Sequence, residues 1–290
     1  MTKKILILGA SGMLGGSLFR YLSHCDDCSL VGTVRRPKAQ QRLLSQGFYN
    51  VVVDIDIHNT HKLEQLINTN DFDYVINCVG VIKQLDEAKA PVPAIEINSL
   101  LPHRLASYCT EVGAKLIHFS TDCVFSGAKG AYEEKDVPDA KDLYGRSKLL
   151  GEVGYGGHLT LRTSIIGHEV ESNVSLVDWF LSQNGRVKGF SNAVFSGLPT
   201  VYVAEFIHKY ILNGSFSGVH HLSVDPIDKF TLLQLIKHQY SLPIEIVEDS
   251  NFVIDRSLNS NPLQSLTDFR PSDWPALIEK MHEEYNTYFV

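Results

Sequence analysis

A tyrosine and a lysine stand four residues apart in the segment LYGRSK, as Tyr144 and Lys148. On a helix this spacing places the phenol and the ammonium on one face. A tyrosine ordinarily has a pKa of about 10, which is too high for efficient proton exchange at neutral pH, and a nearby cation favours the phenolate and lowers that pKa. The pair is therefore a candidate proton donor with its electrostatic support.

A threonine upstream of this pair is the second candidate catalytic group. Thr121 follows the apolar segment KLIHFS, which is typical of a buried strand. In open α/β sheets, ligands bind at the carboxyl ends of the strands, so Thr121 and Tyr144 are expected at the same edge. Thr121 can donate a hydrogen bond to a carbonyl oxygen that Tyr144 protonates.

The elements that must position these groups alternate along the first two-thirds of the chain. Near-continuous apolar runs predict strands, and amphipathic stretches between them predict helices, which together indicate a parallel sheet covered on both faces. We expect an α/β fold with a Rossmann-type doubly wound sheet and a smaller, interleaved α/β lobe contributed by the C-terminal part. The predicted strands are 4–9, 29–34, 50–54, 74–80, 115–120 and 159–164.

A glycine-rich turn, GASGMLG, follows the first predicted strand and opens a helix. Glycines there allow a tight turn and let backbone N–H groups approach a pyrophosphate. The GxxGxxG spacing differs from the GxGxxG of the common dehydrogenase fingerprint. We predict that this turn binds a dinucleotide through Gly9, Ser11, Gly12, Met13 and Leu14.

Two arginines, Arg35 and Arg36, follow the second predicted strand, where an acidic residue would select NAD(H). Arginine pairs with phosphate, so NADP(H) is the predicted cofactor. Two solvated loop arginines are the alternative. Asp54 and Ile55, at the end of the third predicted strand, are predicted to flank the adenine. The fourth strand ends with Cys78, Val79 and Gly80, which are predicted to line the cofactor cleft.

Composition excludes several classes of protein. A formal net charge of -7 argues against nucleic acid as a partner. No segment approaches the roughly 20 apolar residues of a membrane span, so a cytoplasmic protein is expected. Five cysteines suit reduced thiols better than disulfides. Cys25 and Cys28 have CxxC spacing, but no second CxxC and no histidine-rich partner set accompanies them, and we expect no metal site.

The motifs together resemble the extended short-chain dehydrogenase/reductase superfamily, and most closely its dTDP-4-dehydrorhamnose reductase group. The resemblance rests on GASGMLG, INCVG, FSTDCVFSG with YEE after it, YGRSKLLGE, LRTSIIG and DRSLN. It implies NADPH-dependent reduction of a 4-keto group on a nucleotide-activated deoxysugar, with Thr121, Tyr144 and Lys148 as the triad and Asn98 near the cofactor. It also implies an NADP-binding domain over residues 1–168, to which 195–223 return, and a substrate lobe formed by 169–194 and 224–290. A homodimer is the expected assembly.

The sequence departs from this group beside the expected sugar pocket. Cys123 stands where the group commonly has a tyrosine, and Ser126 stands where it has an aspartate. The identity of the sugar and of the nucleotide therefore stays open. Asp122 and Cys123 are predicted to contact the substrate, and Arg256 is a candidate for its diphosphate, with a surface role as the alternative.

Three related functions compete with the reductase. A 4,6-dehydratase usually carries a glutamate at the position of Cys123, which argues against dehydration. An epimerase uses the same tyrosine and lysine but retains NAD, and the arginine pair argues against it. A regulatory subunit resembling the β subunit of methionine adenosyltransferase binds NADP without turnover.

Overall fold

A sheet of seven described strands carries the expected dinucleotide-binding architecture, in the order β11-β6-β5-β4-β1-β2-β3. The computed structural model describes residues 2–81, 90–169 and 174–290. The strands of this sheet are β1 Lys3–Leu8, β2 Cys28–Thr33, β3 Val51–Val52, β4 Tyr74–Asn77, β5 Lys115–Thr121, β6 Leu159–Thr163 and β11 Gly218–His221. β1 pairs in parallel with β2 and β4, β2 with β3, and β4 with β5.

Helices alternate with these strands. The α-helices of the N-terminal half are α1 Met13–Ser23, α2 Pro37–Ser45, α3 Thr60–Asn68, α4 Pro91–Ala94, α5 Leu101–Val112 and α6 Leu143–Leu150. A π-helix, Ile95–Leu100, lies between α4 and α5, and a 3-10 turn, Asp122–Val124, follows β5. All four residues of β4 are buried, as a strand covered on both faces requires. The predicted doubly wound α/β class is confirmed.

The remaining elements are shorter and more mixed. The strands are β7 Ile165–Ile166, β8 Arg186–Phe190, β9 Ala193–Phe195, β10 Leu198–Pro199, β12 Ile227–Asp228, β13 Glu245–Asp249 and β14 Ile254–Asp255. The helices are α7 Leu176–Leu181, α8 Thr200–Phe206, α9 Lys229–Gln239, α10 Asn261–Thr267 and α11 Trp274–Tyr288, with a π-helix at Ile207–Ile211. β9 is the centre of a three-stranded sheet between β12 and β14, while β7 pairs with β10 and β8 with β13.

The chain divides into two compact units. The first consists of Met1–Ser120, Asp142–Leu161 and Ala204–Val219, and the second of Thr121–Lys141, Arg162–Val203 and His220–Val290. The first unit has a core in which α3 and α5 pack on the sheet through residues such as Leu63, Ile67 and Leu105, each fully buried.

Hydrogen bonds of one buried histidine join three segments of the second unit. His168 Nδ1 lies 2.7 Å from Asp178 Oδ1, and its Nε2 lies 2.8 Å from the Tyr240 hydroxyl. These bonds connect the segment after β7 with α7 and with the residue that follows α9, so a buried histidine has both ring nitrogens paired. No helix of the described ranges is long and apolar enough to cross a membrane.

Candidate functional site

The glycine turn between β1 and α1 has a backbone that only glycine permits at two positions. Gly9 has φ +83, in the left-handed region. A Cβ added to Gly15 would lie 2.2 Å from the Gly9 carbonyl oxygen, so any side chain there would push α1 away from the turn. Gly12 caps the helix without a side-chain hydrogen bond, and the first turn of α1 carries no acidic residue. These features fit a bound pyrophosphate at the helix N-terminus.

The arginine pair lies beyond the carboxyl end of β2, which ends at Thr33. Val34 is buried, whereas Arg35 and Arg36 are exposed directly before α2. β3 pairs with β2, so the segment after β3 reaches the same edge of the sheet. Asp54 lies in that segment with φ +63, and its carboxylate binds Lys62 Nζ at 2.6 Å. Arg35 and Arg36 fit the 2′-phosphate of NADP better than an unphosphorylated ribose.

The residues after β4 form a loop that a buried asparagine holds. Asn98 is fully buried in the π-helix Ile95–Leu100. Its Oδ1 accepts from the Val81 N–H at 2.9 Å, and its Nδ2 donates to the Val81 carbonyl at 3.2 Å. This two-way bond fixes the end of the segment that contains Cys78, Val79 and Gly80, since the loop cannot move without breaking both bonds. The predicted contact of Asn98 with the cofactor stays a prediction.

Tyr144 and Lys148 lie on α6, as their spacing predicts. The helix begins at Leu143, because the Asp142 carboxylate accepts a hydrogen bond from the Gly145 N–H at 2.8 Å. Tyr144 is half-buried. Lys148 is buried, and its Nζ donates to the Phe119 carbonyl at 2.6 Å.

Burial lowers the pKa of the Lys148 ammonium from 10.5 to about 8, and the nearby Glu152 and Cys78 oppose this shift. The ammonium is therefore largely charged at neutral pH, in a place where little water screens it. Burial also raises the pKa of the Cys78 thiol, which stays protonated and cannot act as a nucleophile. Between these two groups, Lys148 carries the charge and Cys78 is neutral.

Close contacts with the π-helix hold α6 in place. Asn98 Nδ2 also donates to Ser147 Oγ at 3.2 Å, and Ser147 Oγ donates to the Tyr144 carbonyl at 2.9 Å. Ser99 Oγ donates to the Ser147 carbonyl at 2.8 Å. A Cβ on Gly151 would lie 1.9 Å from the Asn98 carbonyl oxygen, so the two helices are as close as their backbones allow. The bonds through Asn98 and Ser147 thus hold the backbone of α6 at Tyr144 against the π-helix.

The second unit contains the candidate substrate residues. Thr121 is the last residue of β5, and its hydroxyl donates to Asp122 Oδ1 at 3.1 Å and accepts from the Cys123 N–H at 3.1 Å. Asp122 is buried, and burial raises its pKa, while Arg256 opposes the rise. Arg256 Nε donates to the Phe125 carbonyl at 3.0 Å. Thr121, Asp122, Cys123 and Arg256 therefore belong to one neighbourhood.

Ser126, the second departure from the group's pattern, lies at the start of the loop after this strand. Its N–H and its hydroxyl both donate to the Asp139 carboxylate, at 2.7 and 2.6 Å. A serine supplies these two donors, and an aspartate at position 126 would place a second carboxylate against Asp139. Serine in place of the group's aspartate at position 126 therefore suits the neighbouring Asp139 carboxylate.

Lys229 is a residue of this neighbourhood that sequence reasoning missed. It begins α9, and its Nζ lies 3.4 Å from the centroid of the Phe195 ring. Burial lowers its pKa to about 8, and the charges of Asp122 and Cys123 oppose that shift. Two cations, Lys229 and Arg256, thus act on the buried Asp122. No spacing or motif in the sequence links Lys229 to this site.

Comparisons with known proteins agree with the fold. A family model described as "RmlD substrate binding domain" matches residues 3–244. A probable low-salt glycan biosynthesis reductase, Agl14, from Haloferax volcanii is 33% identical over 147 residues, which are 50% of this chain and 46% of that protein. Methionine adenosyltransferase 2 subunit beta from Bos taurus is 25% identical over 96% of this chain and 89% of that protein.

Among solved structures, a dTDP-4-dehydrorhamnose reductase from Bacillus anthracis in complex with NADP superposes with a TM-score of 0.80. It is 20% identical, and the alignment covers 98% of this chain and 99% of that one. At this identity the likeness establishes the fold. The family match covers most of the chain, so the predicted membership is confirmed: this chain belongs to the RmlD substrate binding domain family.

Proposed function

We propose that the protein is an NADPH-dependent reductase that converts the 4-keto group of a nucleotide-activated deoxysugar into a hydroxyl, in the manner of a dTDP-4-dehydrorhamnose reductase. The observation that carries the proposal is the buried Lys148, four residues after Tyr144 on one helix, in a chain of this family. A buried ammonium one helical turn after a half-buried phenol is an arrangement that favours proton donation to a carbonyl. The glycan biosynthesis reductase among its relatives supports this class of reaction.

NADPH supplies the hydride for the substrate carbonyl carbon. Tyr144 gives its phenolic proton to the carbonyl oxygen, and the product is an alcohol. Lys148 stabilises the resulting phenolate until solvent returns the proton. The Thr121 hydroxyl exchanges its hydrogen bond to Asp122 for one to the same oxygen and stabilises the developing charge there. The glycine turn holds the pyrophosphate of the cofactor, and Arg35 and Arg36 hold its 2′-phosphate.

We assign substrate binding to the residues around Asp122, because two cations lie among them. A nucleotide sugar carries a diphosphate, and Arg256 and Lys229 are the cations that act on Asp122. Arg256 is the proposed ligand of that diphosphate, and Cys123 faces the sugar. Cofactor binding is assigned to residues 1–168 with 195–223, apart from Asp122 and Cys123, and substrate binding to these two residues together with 169–194 and 224–290. The proposed location is the cytoplasm.

We also propose a homodimer, because apolar side chains on neighbouring helices of the first unit are exposed. Ile95 and Leu100 on the π-helix are 47% and 40% exposed, and Leu150 at the end of α6 is 65% exposed. Mass measurement by light scattering tests this, with the dimer mass as the expected result. A monomer at micromolar concentration would contradict it.

The function is tested by incubating the purified protein with NADPH and a panel of 4-keto nucleotide sugars that differ in sugar and in nucleotide. Substrate-dependent loss of NADPH absorbance with at least one donor is the expected result, and the preferred donor identifies the substrate. The matched control is Tyr144→Phe, which keeps the aromatic ring and removes only the transferable proton. Oxidation at an equal rate in that variant would contradict the role of Tyr144.

A regulatory subunit is the second candidate, because the likeness to the methionine adenosyltransferase β subunit extends over 96% of this chain. Tight NADPH binding without oxidation by any donor of the panel would favour that function. An epimerase would interconvert sugars without net consumption of NADPH. The same incubation, with products separated by chromatography, therefore distinguishes the three.

A further inference from the structure

Three metal-binding side chains meet where the connection between α1 and β2 lies against the π-helix Ile207–Ile211, all within the first unit. Ligand atoms of Cys25, Asp27 and His208 lie within 4.8 Å of one another. His208 Nε2 is 2.8 Å from Asp27 Oδ1, although the two residues are 181 positions apart in the chain. Cys28 Sγ is 3.7 Å from the same carboxylate oxygen. The fold thus brings a histidine that is distant in sequence, His208, to the CxxC pair.

This set of donors has the chemistry of a zinc site. Thiolate sulfur, imidazole nitrogen and carboxylate oxygen are the ligands that Zn²⁺ takes in proteins, at about 2.0 to 2.3 Å. Tetrahedral ligands at those bond lengths lie about 3.5 Å from one another. The Cys25, Asp27 and His208 ligand atoms, which lie within 4.8 Å of one another, would each have to change their separations by no more than about 1.3 Å to reach this spacing.

We propose that this cluster, Cys25–Asp27–His208 with the Cys28 thiol as fourth donor, binds one zinc-class divalent ion. Each coordinating thiol releases its proton to solvent as its sulfur bonds to the metal, and no electron is transferred. The two ion-pair partners Asp27 and His208 exchange their mutual hydrogen bond for bonds to the metal.

The site is separate from the proposed chemistry. Cys28 begins β2 and Thr33 ends it, so the cluster and the arginine pair lie at opposite ends of a strand about 20 Å long. An ion at the cluster joins the end of α1 to a helix far along the chain. Its expected effect is therefore on the stability of the first unit, with the NADPH dissociation constant unchanged.

Cobalt spectroscopy of the chelator-treated, full-length protein tests the proposal. Co²⁺ titration should saturate at one equivalent, with a thiolate-to-cobalt band in the near ultraviolet and visible bands of four-coordinate intensity, and Zn²⁺ should displace both. Cys25→Ser and His208→Gln should each weaken binding by at least the ~10- to 100-fold that loss of a ligand's hydrogen-bond partner costs. His24→Gln is the matched control, because His24 precedes Cys25 but packs against the Phe48 ring, and it should bind cobalt like the wild type.

Zinc should also raise the melting temperature of the wild type and of His24→Gln, and leave that of His208→Gln unchanged. The absence of a thiolate-to-cobalt band, or an unchanged spectrum in Cys25→Ser and His208→Gln, would overturn the proposal. Circular dichroism of each variant without metal verifies that it is folded. None of these readouts requires turnover, so failure of the reductase assay and failure of the metal site are distinguishable.

Discussion

Replacing Lys148 with methionine should make the protein more stable at neutral pH while it abolishes reduction. Burial lowers the pKa of this ammonium from 10.5 to about 8. A depression of about 2.5 pKa units corresponds to about 3 kcal/mol by which the folded state disfavours the charged form. At pH 7 the lysine is charged in the folded and unfolded states alike, so the wild type bears the whole cost.

The lost hydrogen bond partly offsets this gain. Lys148 Nζ donates to the Phe119 carbonyl at 2.6 Å, and leaving that acceptor unpaired costs about 1 kcal/mol. Lys148→Met should therefore raise the free energy of unfolding at pH 7 by about 2 kcal/mol. The methionine side chain has a similar length and fills the same buried space.

The pH dependence of this difference is the sharper test. The folded-state pKa lies below the unfolded one, so between them the unfolded chain binds more protons and the wild type gains stability as pH rises. The burial cost is complete below pH 8 and disappears by about pH 10.5. Between pH 7 and pH 9 the advantage of the variant should shrink by about 1 kcal/mol.

Urea denaturation followed by far-ultraviolet circular dichroism, at pH 7 and pH 9, measures both quantities. The control is Lys141→Met, at an exposed position just before α6, which should change stability by less than about 0.5 kcal/mol at either pH. A Lys148→Met protein that is less stable than the wild type at pH 7 would refute the reasoning. A stability difference that is equal at the two pH values would refute it as well.

Three further substitutions test the cofactor and proton roles. Tyr144→Phe should lower kcat by about 10²- to 10⁴-fold, with NADPH binding, measured by fluorescence, unchanged; wild-type kcat would remove Tyr144 from the mechanism. Joint replacement of Arg35 and Arg36 with alanine should weaken NADPH binding by about 10- to 100-fold and leave NADH binding unaltered, as calorimetry can establish, whereas equal losses would exclude a contact with the 2′-phosphate. Gly15→Ala should destabilise the fold by about 1 to 3 kcal/mol in urea titrations, because its Cβ meets the Gly9 carbonyl; wild-type stability would show that α1 can move away from the turn.

The sheet was predictable because its strands are buried on both faces and so read as continuous apolar runs. The six predicted strands, 4–9, 29–34, 50–54, 74–80, 115–120 and 159–164, each overlap a strand of the structure and differ from it by one residue or more at one end or both. The third is the shortest, Val51–Val52, because Asp54 adopts φ +63 and leaves the extended conformation. Asp54 therefore lies beyond the strand that it was expected to end.

Local rules also placed Tyr144 and Lys148 on a helix, since side-chain spacing and the Asp142 cap act within one turn. The π-helix Ile95–Leu100 lies between the fourth and fifth predicted strands, where the amphipathic pattern predicted an ordinary helix, and it packs closely on the end of α6, where Gly151 meets the Asn98 carbonyl. Lys229 and His208 reach their neighbours only through the tertiary fold, so no local pattern could reveal them.

Transfer of deuterium from NADPH to the sugar tests the central claim most directly. The protein would be incubated with the preferred 4-keto nucleotide sugar and with NADPH deuterated at either hydrogen of the nicotinamide C4, and the product analysed by mass spectrometry and NMR. Reduction predicts an alcohol that carries deuterium at the sugar C4 with one of the two labelled cofactors. A product without deuterium from either cofactor, or deuterium at another carbon, would contradict a 4-keto reductase.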